Sequence, residues 1–173
     1  MKVKEENNEI MEENKGYFLS PMGLLELKAS AVGLTSCRFI EDAHVAHLNA
    51  CENSLIDRAK KELERYFLGE LRQFTVPLDS VGTDFQRRVW EVIGQIPFGV
   101  RTSYAAIARE LGNPLVIRAA AAANGKNPLL LFVPCHRVIG KNGEMIGYSG
   151  GLPRKKALLD FEDKIANGIQ TLF

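Results

Sequence analysis

The residue types best suited to chemistry lie together in one hexapeptide, Val133-Pro134-Cys135-His136-Arg137-Val138. A cysteine reacts as its thiolate, which is favoured by a nearby cation or by a group that takes the thiol proton. His136 and Arg137 directly follow Cys135 and are candidates for both roles. The alternative is an inert core thiol beside a solvated His-Arg pair, because the apolar run 129–133 leads into the cysteine. The flanking sequence has to decide between a reactive and a structural cysteine.

Composition sets the broad class of the chain. Its 173 residues, 46% hydrophobic and 25% charged, fit a soluble globular protein of one ordinary domain or two small ones. No apolar run approaches the roughly 20 residues of a membrane span. Three cysteines, an odd and sparse set, favour a reducing compartment over a disulfide framework. We therefore expect a cytoplasmic protein without membrane contact.

Charge is divided unevenly along the chain. Residues 1–82 carry 10 Lys+Arg against 14 Asp+Glu, a net charge of −4, whereas residues 83–173 carry 12 against 7, a net charge of +5. The basic half also contains Cys135. This asymmetry indicates an anionic partner for residues 83–173, and nucleic acid is the obvious candidate.

Turn residues and periodicity divide the chain into a tail and two domains. Residues 1–15 are polar and predict a mobile tail. Short strands at 17–19, 24–28 and 34–40, a helix at 54–67 and a linker at 69–82, which has room for one strand, predict a small α/β domain over 16–82. Residues 83–173 predict a mostly helical domain. The fold class is therefore α/β, with two domains.

Two short helices in the second half meet at a tight turn. A helix capped by Thr83 precedes them. They run from about 103 to 111 and from 114 to about 124, and Gly112-Asn113-Pro114 separates them, which is the helix-turn-helix pattern. Residues 141–144 predict a hairpin-type turn, and residues 153–165 a closing helix.

The second helix of the pair carries the alanine run 119–123 directly after Arg118. Methyl groups such as those of Ala119 and Ala120 cannot read base edges in a major groove, but they let a helix approach the minor groove, which is about 6 Å wide. Arg118 would then be the one long side chain that reaches the duplex. The alternative is that alanine is simply the best helix former.

Four motifs in this order resemble the O6-alkylguanine-DNA alkyltransferases, also called methylated-DNA–protein-cysteine methyltransferases. They are Ile117-Arg118-Ala119, Asn127-Pro128, Pro134-Cys135-His136-Arg137-Val138-Ile139-Gly140 and Tyr148-Ser149-Gly150-Gly151-Leu152. The match is close over 83 to about 165 and general before that. The resemblance implies a ribonuclease H-like N-terminal domain and a DNA repair protein that moves an alkyl group from guanine O6 onto its own cysteine, once and irreversibly, as a monomer without a cofactor.

The resemblance also implies roles for individual residues. Cys135 would accept the alkyl group, His136 would take the thiol proton through a bound water, and Glu162 would orient and stabilise that imidazole. The damaged nucleotide of double-stranded DNA must be flipped out, with Arg118 filling the vacated stack and Tyr104 crowding the phosphate and donating a proton toward guanine N3. The individual alternatives are a half-buried helix tyrosine for Tyr104, a solvated charge for Arg118 and a surface acid for Glu162.

The same resemblance implies a base-binding pocket. The backbone carbonyls of Cys135 and Val138 and the amide of Ser149 would read the guanine edge, with Tyr148 and Asn127 shaping the pocket. Asn127 is better suited to tying down the loop before the cysteine. The sequence does not rank alkyl groups by size, or O6-alkylguanine against O4-alkylthymine.

Other interpretations have to be weighed. Cys37, His44, His47 and Cys51 could surround zinc, but Cys37 alternates like a strand core residue and Cys-x-x-Cys spacing is missing, so no metal is expected.

Three other functions are less consistent with the sequence. An alkyltransferase-like protein, which binds the lesion without repairing it, lacks the acceptor cysteine. A helix-turn-helix regulator would need base-reading side chains on its second helix. A cysteine protease would need a helix-borne thiol and a distant histidine.

Overall fold

The N-terminal half is built on an antiparallel three-stranded sheet. The computed structural model of the chain describes residues 14–41 and 53–168. Strands β1 (Asn14–Ser20), β2 (Gly23–Ala29) and β3 (Leu34–Ile40) pair in the order β1-β2-β3, which confirms the three predicted strands. The first strand is longer than predicted, because Asn14 and Lys15, assigned to the tail from their polar side chains, pair with Ala29 and Lys28 of β2. Leu25 and Leu27 of β2 are fully buried, so this strand packs one face into the core.

Helix α1 (Ser54–Phe67) has the bounds that the apolar periodicity predicts, and it packs against β1 and β2. The side chain of Asn53 caps it by accepting hydrogen bonds from the backbone N–H groups of Leu55 and Ile56. Its buried face is Ile56, Ala59, Glu62, Leu63, Tyr66 and Phe67. The following linker forms an isolated bridge between Leu34 and Leu78, so only one position of it pairs with the sheet.

The second half is mostly helical, as predicted. Helix α2 (Asp84–Gly94) begins with a reciprocal capping box between Thr83 and Gln86. Helix α3 (Tyr104–Glu110), a 3-10 turn (Pro114–Val116) and helix α4 (Ile117–Gly125) follow. The indole N–H of Trp90 donates to the carbonyl of Ala123 at 2.9 Å, which fixes α2 against α4.

A two-stranded parallel pairing was not expected from the sequence. Strand β4 (Thr102–Ser103) pairs with β5 (Val138–Ile139), and two residues are too few to produce a periodic pattern. The turn at 141–144 is present, and the N–H of Gly140 donates to the backbone carbonyl of Glu144 across it. Strand β5 nevertheless pairs with β4 and not across this turn. Helix α5 (Leu152–Ala166) is the last described helix and lies where the closing helix is predicted.

The two halves meet at the segment that enters the Cys135 hexapeptide. The N–H of Cys37 on β3 donates to the carbonyl of Pro128 at 2.8 Å, and the N–H of Leu130 donates to the carbonyl of Cys37 at 3.0 Å. Residues 127–138 are all buried. The N-terminal sheet therefore holds the chain that carries Cys135.

Candidate active site

Cys135 begins a single 3-10 turn (Cys135–Arg137) between Pro134 and β5, and its side chain is fully buried. Burial raises the pKa of this thiol to about 11, although the Asn127 amide and the positive charge of Lys155 act in the opposite direction. Cys135 is thus a protonated thiol at neutral pH. Its use as a nucleophile requires a group that removes the proton.

Asn127 holds the thiol and the loop before it. Its side-chain amide donates to Sγ of Cys135 at 3.0 Å and to the carbonyl of Val133 at 2.9 Å, while its side-chain oxygen accepts from the N–H of Leu129 at 2.9 Å. Leu131 within this loop has φ of 73°, a left-handed conformation that is rare outside glycine. The structure thus gives Asn127 the loop-tying contacts expected from the sequence, with an added bond to sulfur.

His136 is fully buried and is oriented by Glu162. Nε2 of His136 lies 2.9 Å from Oε1 of Glu162. Because a carboxylate only accepts hydrogen bonds, the ring proton belongs on Nε2, and Nδ1 carries the lone pair. Nδ1 has no hydrogen-bond partner among the described residues. Burial, together with the positive charges of Arg137 and Lys155, lowers the pKa of His136 despite the hydrogen bond and charge of Glu162, so the imidazole is neutral and able to accept a proton at Nδ1.

Glu162 is a buried anion that collects hydrogen bonds from four residues, with an exposed fraction of 1%. Besides His136, it accepts from Tyr66, from the backbone N–H of Gly99 and twice from Arg137. Burial opposes ionisation, but the hydrogen bonds from His136 and Arg137 and the positive charge of Arg137 outweigh it and hold the pKa of Glu162 well below its usual range. Glu162 is therefore not the surface acid that was the alternative interpretation.

Arg137 does not assist the thiol in the way that its sequence position indicates. Its guanidinium forms a bidentate pair with Glu162 at 2.8 and 2.9 Å and also donates to the carbonyl of Ile96 at 2.6 Å. The cation that lowers the pKa of Cys135 is Lys155 instead. Adjacent residues in a 3-10 turn point in different directions, which the sequence alone does not reveal.

Lys155 is a site residue that the sequence analysis missed. Its Nζ is buried and donates to the carbonyls of Val138 at 2.6 Å and Ile146 at 2.7 Å, and burial lowers its pKa to about 8. One face of α5 is formed at helical spacing by Lys155, Leu158, Leu159 and Glu162. This spacing was the sequence signal that Lys155 is buried next to the site.

Tyr104 begins α3 and is tied to the loop that precedes Tyr148. Its hydroxyl donates to the carbonyl of Ile146 at 3.1 Å and accepts from the side-chain amide of Asn124 at 3.3 Å. Asn124 also donates to the carbonyl of Gly147 at 3.1 Å and was not singled out in the sequence. Burial and the nearby Cys135 raise the pKa of Tyr104 to about 12, so its phenol stays protonated.

The predicted pocket residues lie around this loop. Tyr148 is buried, its hydroxyl has no partner among the described residues, and its ring lies 6.4 Å from that of His136. Ser149 is exposed and, with Asn127, lines a cleft of about 270 Å³. The carbonyl of Val138 accepts from Lys155. A larger cleft of about 920 Å³ lies between α2 and the linker and contains none of the predicted pocket residues.

Helix α4 presents two different faces. Arg118 and Ala119 are exposed, whereas Ala120 is buried with an exposed fraction of 1% and packs into the core. The exposed positions that follow Arg118 in the alanine run, Ala119 and Ala122, therefore present only methyl groups, whereas Ala120, although part of the predicted DNA-facing run, points inward.

No group of three or more potential metal-ligating side chains of His, Cys, Asp or Glu occurs within 14–41 and 53–168. Cys37 is a fully buried core residue of β3. The other members of the zinc hypothesis, His44, His47 and Cys51, lie outside the described residues. In the part of the chain that the structure covers, no helix is both long and apolar enough to cross a membrane.

Fold and site together define a two-part α/β protein in which a buried cysteine precedes a histidine held by a carboxylate. Two family models match the chain, "6-O-methylguanine DNA methyltransferase, ribonuclease-like domain" at residues 14–80 and "6-O-methylguanine DNA methyltransferase, DNA binding domain" at residues 84–164. The Mycobacterium bovis methylated-DNA–protein-cysteine methyltransferase is 43% identical over 156 residues, 89% of this chain and 94% of the relative. The chain belongs to the methylated-DNA–protein-cysteine methyltransferase family.

Solved structures agree with this assignment. The Mycobacterium tuberculosis O6-methylguanine methyltransferase is similar with a TM-score of 0.78 and 42% identity, over 87% of this chain and 93% of that one. M. tuberculosis OGT in complex with DNA is similar with a TM-score of 0.77 and 43% identity, over 86% of this chain and 92% of that one. The predicted α/β fold class and the family resemblance are confirmed.

Proposed function

We propose that this protein repairs DNA by transferring an alkyl group from O6-alkylguanine to Sγ of Cys135, once per molecule. The observation that carries the proposal is the buried pair of His136 and Glu162 at 2.9 Å beside a protonated cysteine, in a chain of this family. The pair supplies what the Cys135 thiol lacks, a neutral base whose protonated form is stabilised by a fixed carboxylate.

The proposed reaction starts from the protonated thiol. The proton of Cys135 passes to Nδ1 of His136, by way of a bridging water as in the family, and Glu162 stabilises the imidazolium. The thiolate attacks the alkyl carbon, a carbon–sulfur bond forms and the bond from that carbon to O6 breaks. The electron pair passes into the guanine, which gains a proton at N3 from Tyr104. A thioether is a very poor leaving group, so the thiol is consumed.

We propose double-stranded DNA with a flipped-out lesion as the partner, bound through the minor groove. The exposed Arg118 and Ala119 on α4 support this, because a small-residue face lets the helix approach closely while one long side chain fills the vacated stack. On this proposal α3 and α4 act as the helix-turn-helix, residues 83–173 carry the chemistry, and residues 16–82 support it. We further propose a monomer that works in a reducing compartment such as the cytoplasm.

Stoichiometry tests the proposed function. With excess duplex containing O6-methylguanine, repair should stop at one equivalent, and intact-mass analysis should find a single methyl adduct within residues 133–137. Cys37→Ala should still repair one equivalent, since Cys37 is a buried core thiol of β3 whose pKa burial raises. Multiple turnovers, or an adduct on Cys37 or Cys51, would exclude Cys135 as a suicide acceptor.

Cys135→Ala separates repair from lesion binding. The variant should lose all alkyl transfer and keep duplex affinity, because the proposed DNA contacts lie on α3 and α4. A wild-type protein that binds the lesion but forms no adduct would instead be an alkyltransferase-like damage-binding protein, which the presence of Cys135 argues against.

A further inference from the structure

Helix α1 of the N-terminal half contacts the proposed catalytic relay, which is made of Glu162, His136 and Cys135, through the hydroxyl group of Tyr66. The hydroxyl of Tyr66 donates to Oε1 of Glu162 at 2.7 Å, and both side chains have exposed fractions of 1%. We propose that Tyr66 is a positioning residue for alkyl transfer, which fixes Glu162 and limits how strongly that carboxylate draws a proton onto His136. This inference rests on the proposed function, since it concerns the same base.

Three donors compete for the same oxygen atom. Oε1 of Glu162 accepts from Tyr66 at 2.7 Å, from Arg137 at 2.8 Å and from His136 at 2.9 Å. Each hydrogen bond to a carboxylate stabilises its anionic form and lowers its basicity. A carboxylate shared in this way orients the imidazole without holding it permanently protonated. His136 thereby keeps the Nδ1 lone pair that the thiol proton requires.

Packing explains the tyrosine ring but not its hydroxyl. The ring contacts Phe67, Phe74, Phe98 and Phe161, with centroids 5.1 to 5.9 Å away. A phenylalanine would make the same ring contacts. The hydroxyl is directed at the one carboxylate that holds His136, which indicates a role in the relay beyond the aromatic core.

Other charged and titratable groups also face this relay. Arg137 and Lys155 lower the pKa of His136 through their positive charges, and Cys135 and Tyr148 lie beside it. Arg137 and Tyr148 also act on Tyr66. None of these groups is altered when Tyr66 is replaced by phenylalanine, so the substitution isolates the hydroxyl.

The decisive variant is Tyr66→Phe, assayed by single-turnover repair between pH 5 and 9 and by NMR titration of the His136 ring. Losing the phenol donor leaves Glu162 more basic, so its bond to the imidazolium strengthens. The pKa of His136 and the acid limb of the rate profile should both move to higher pH by roughly half to one unit. Tyr17→Phe, which removes a hydroxyl on β1 away from Glu162, should move neither.

A second pair of variants tests the sign and the route of the effect. Site-specific 3-fluorotyrosine at position 66 keeps the hydroxyl and makes it a stronger donor, so the pKa of His136 should fall. In a Glu162→Gln background, Tyr66→Phe should leave the His136 pKa unchanged, because the route through the carboxylate is gone.

The outcomes also separate this inference from the proposed function. Lower thermal stability of Tyr66→Phe with an unchanged His136 titration would reduce Tyr66 to a structural anchor of α1 and overturn the inference. A wild-type protein that transfers no alkyl group would contradict the proposed function, while the NMR titration would still decide whether Tyr66 tunes His136.

Discussion

The side-chain amide of Asn127 donates a hydrogen bond to Sγ of Cys135 at 3.0 Å, in a site where both residues are buried. The same amide donates to the carbonyl of Val133, so one side chain sets both the conformation of the approach loop and the position of the sulfur. The amide also stabilises the thiolate, because it lowers the pKa of a thiol that burial raises. Loop structure and thiol reactivity are therefore coupled at Asn127.

Replacing Asn127 with alanine should damage stability and chemistry together. The carbonyl of Val133 and the N–H of Leu129 lose their buried partner, which we expect to cost roughly 2–4 kcal/mol of unfolding free energy. The thiol pKa should rise further and single-turnover repair should slow at least roughly tenfold. Urea denaturation and single-turnover repair assays measure the two effects. The exposed Asn142→Ala should change neither by much, and a normal repair rate in Asn127→Ala would contradict the role given to the amide.

The protonation of Cys135 predicts a pH dependence with a definite sign. The thiol titrates near 9 in an unfolded chain and at about 11 in the fold, so between these values the folded protein binds more protons than the unfolded one. Stability should therefore fall as pH rises from 9 to 11, by on the order of 2–3 kcal/mol more in the wild type than in Cys135→Ala. Ultraviolet difference titration against Cys135→Ala should find no thiolate at pH 7. A thiolate signal at neutral pH would show that the site activates the cysteine in its resting state.

Local patterns were sufficient for the helices, for the three-stranded sheet and for the residues that we propose to react, but not for the network that supports them. Apolar periodicity and capping residues predicted α1, α2 and α5, because those signals lie within each helix. Cys135 and His136 were recognisable because they are adjacent. The pairing of β4 with β5 and the bond from Tyr66 to Glu162 join positions far apart in the chain, and no local pattern encodes them.

For the same reason, the hexapeptide indicated the wrong cation as the group that favours the Cys135 thiolate. The sequence places Arg137 two residues from Cys135, yet the guanidinium turns away to Glu162. Lys155, 20 positions later in the chain, acts on the thiol instead. The direction of each side chain follows from the 3-10 turn and the packing of α5, which are properties of the folded chain.

Arg118→Ala should slow the repair of duplex DNA much more than it slows alkyl transfer from a free base to Cys135. Arg118 is exposed on α4, and its proposed role is to offset the few kcal/mol that unstacking a nucleotide costs. Repair of a duplex should slow by roughly tenfold or more, and transfer from free O6-benzylguanine should change less than about twofold. Single-turnover rates on both substrates provide the measurement. Arg65→Ala, which removes an exposed arginine from α1, is the control. Equal losses on both substrates would show that Arg118 acts in the base-binding pocket and does not fill the vacated stack.

A larger side chain at position 119 should decide why α4 carries an alanine run. If the outer face of α4 approaches a minor groove about 6 Å wide, leucine at this exposed position will hold the helix away from the duplex. Ala119→Leu should then weaken duplex binding at least roughly tenfold, measured by fluorescence anisotropy, with transfer from free O6-benzylguanine unchanged. Leucine forms helices nearly as well as alanine, so thermal stability should stay close to that of the wild type.

Ala157→Leu, at an exposed position of α5, is the control for added apolar surface. Unchanged duplex affinity in Ala119→Leu would leave helix propensity as the reason for the run and would remove this face from the DNA-binding surface.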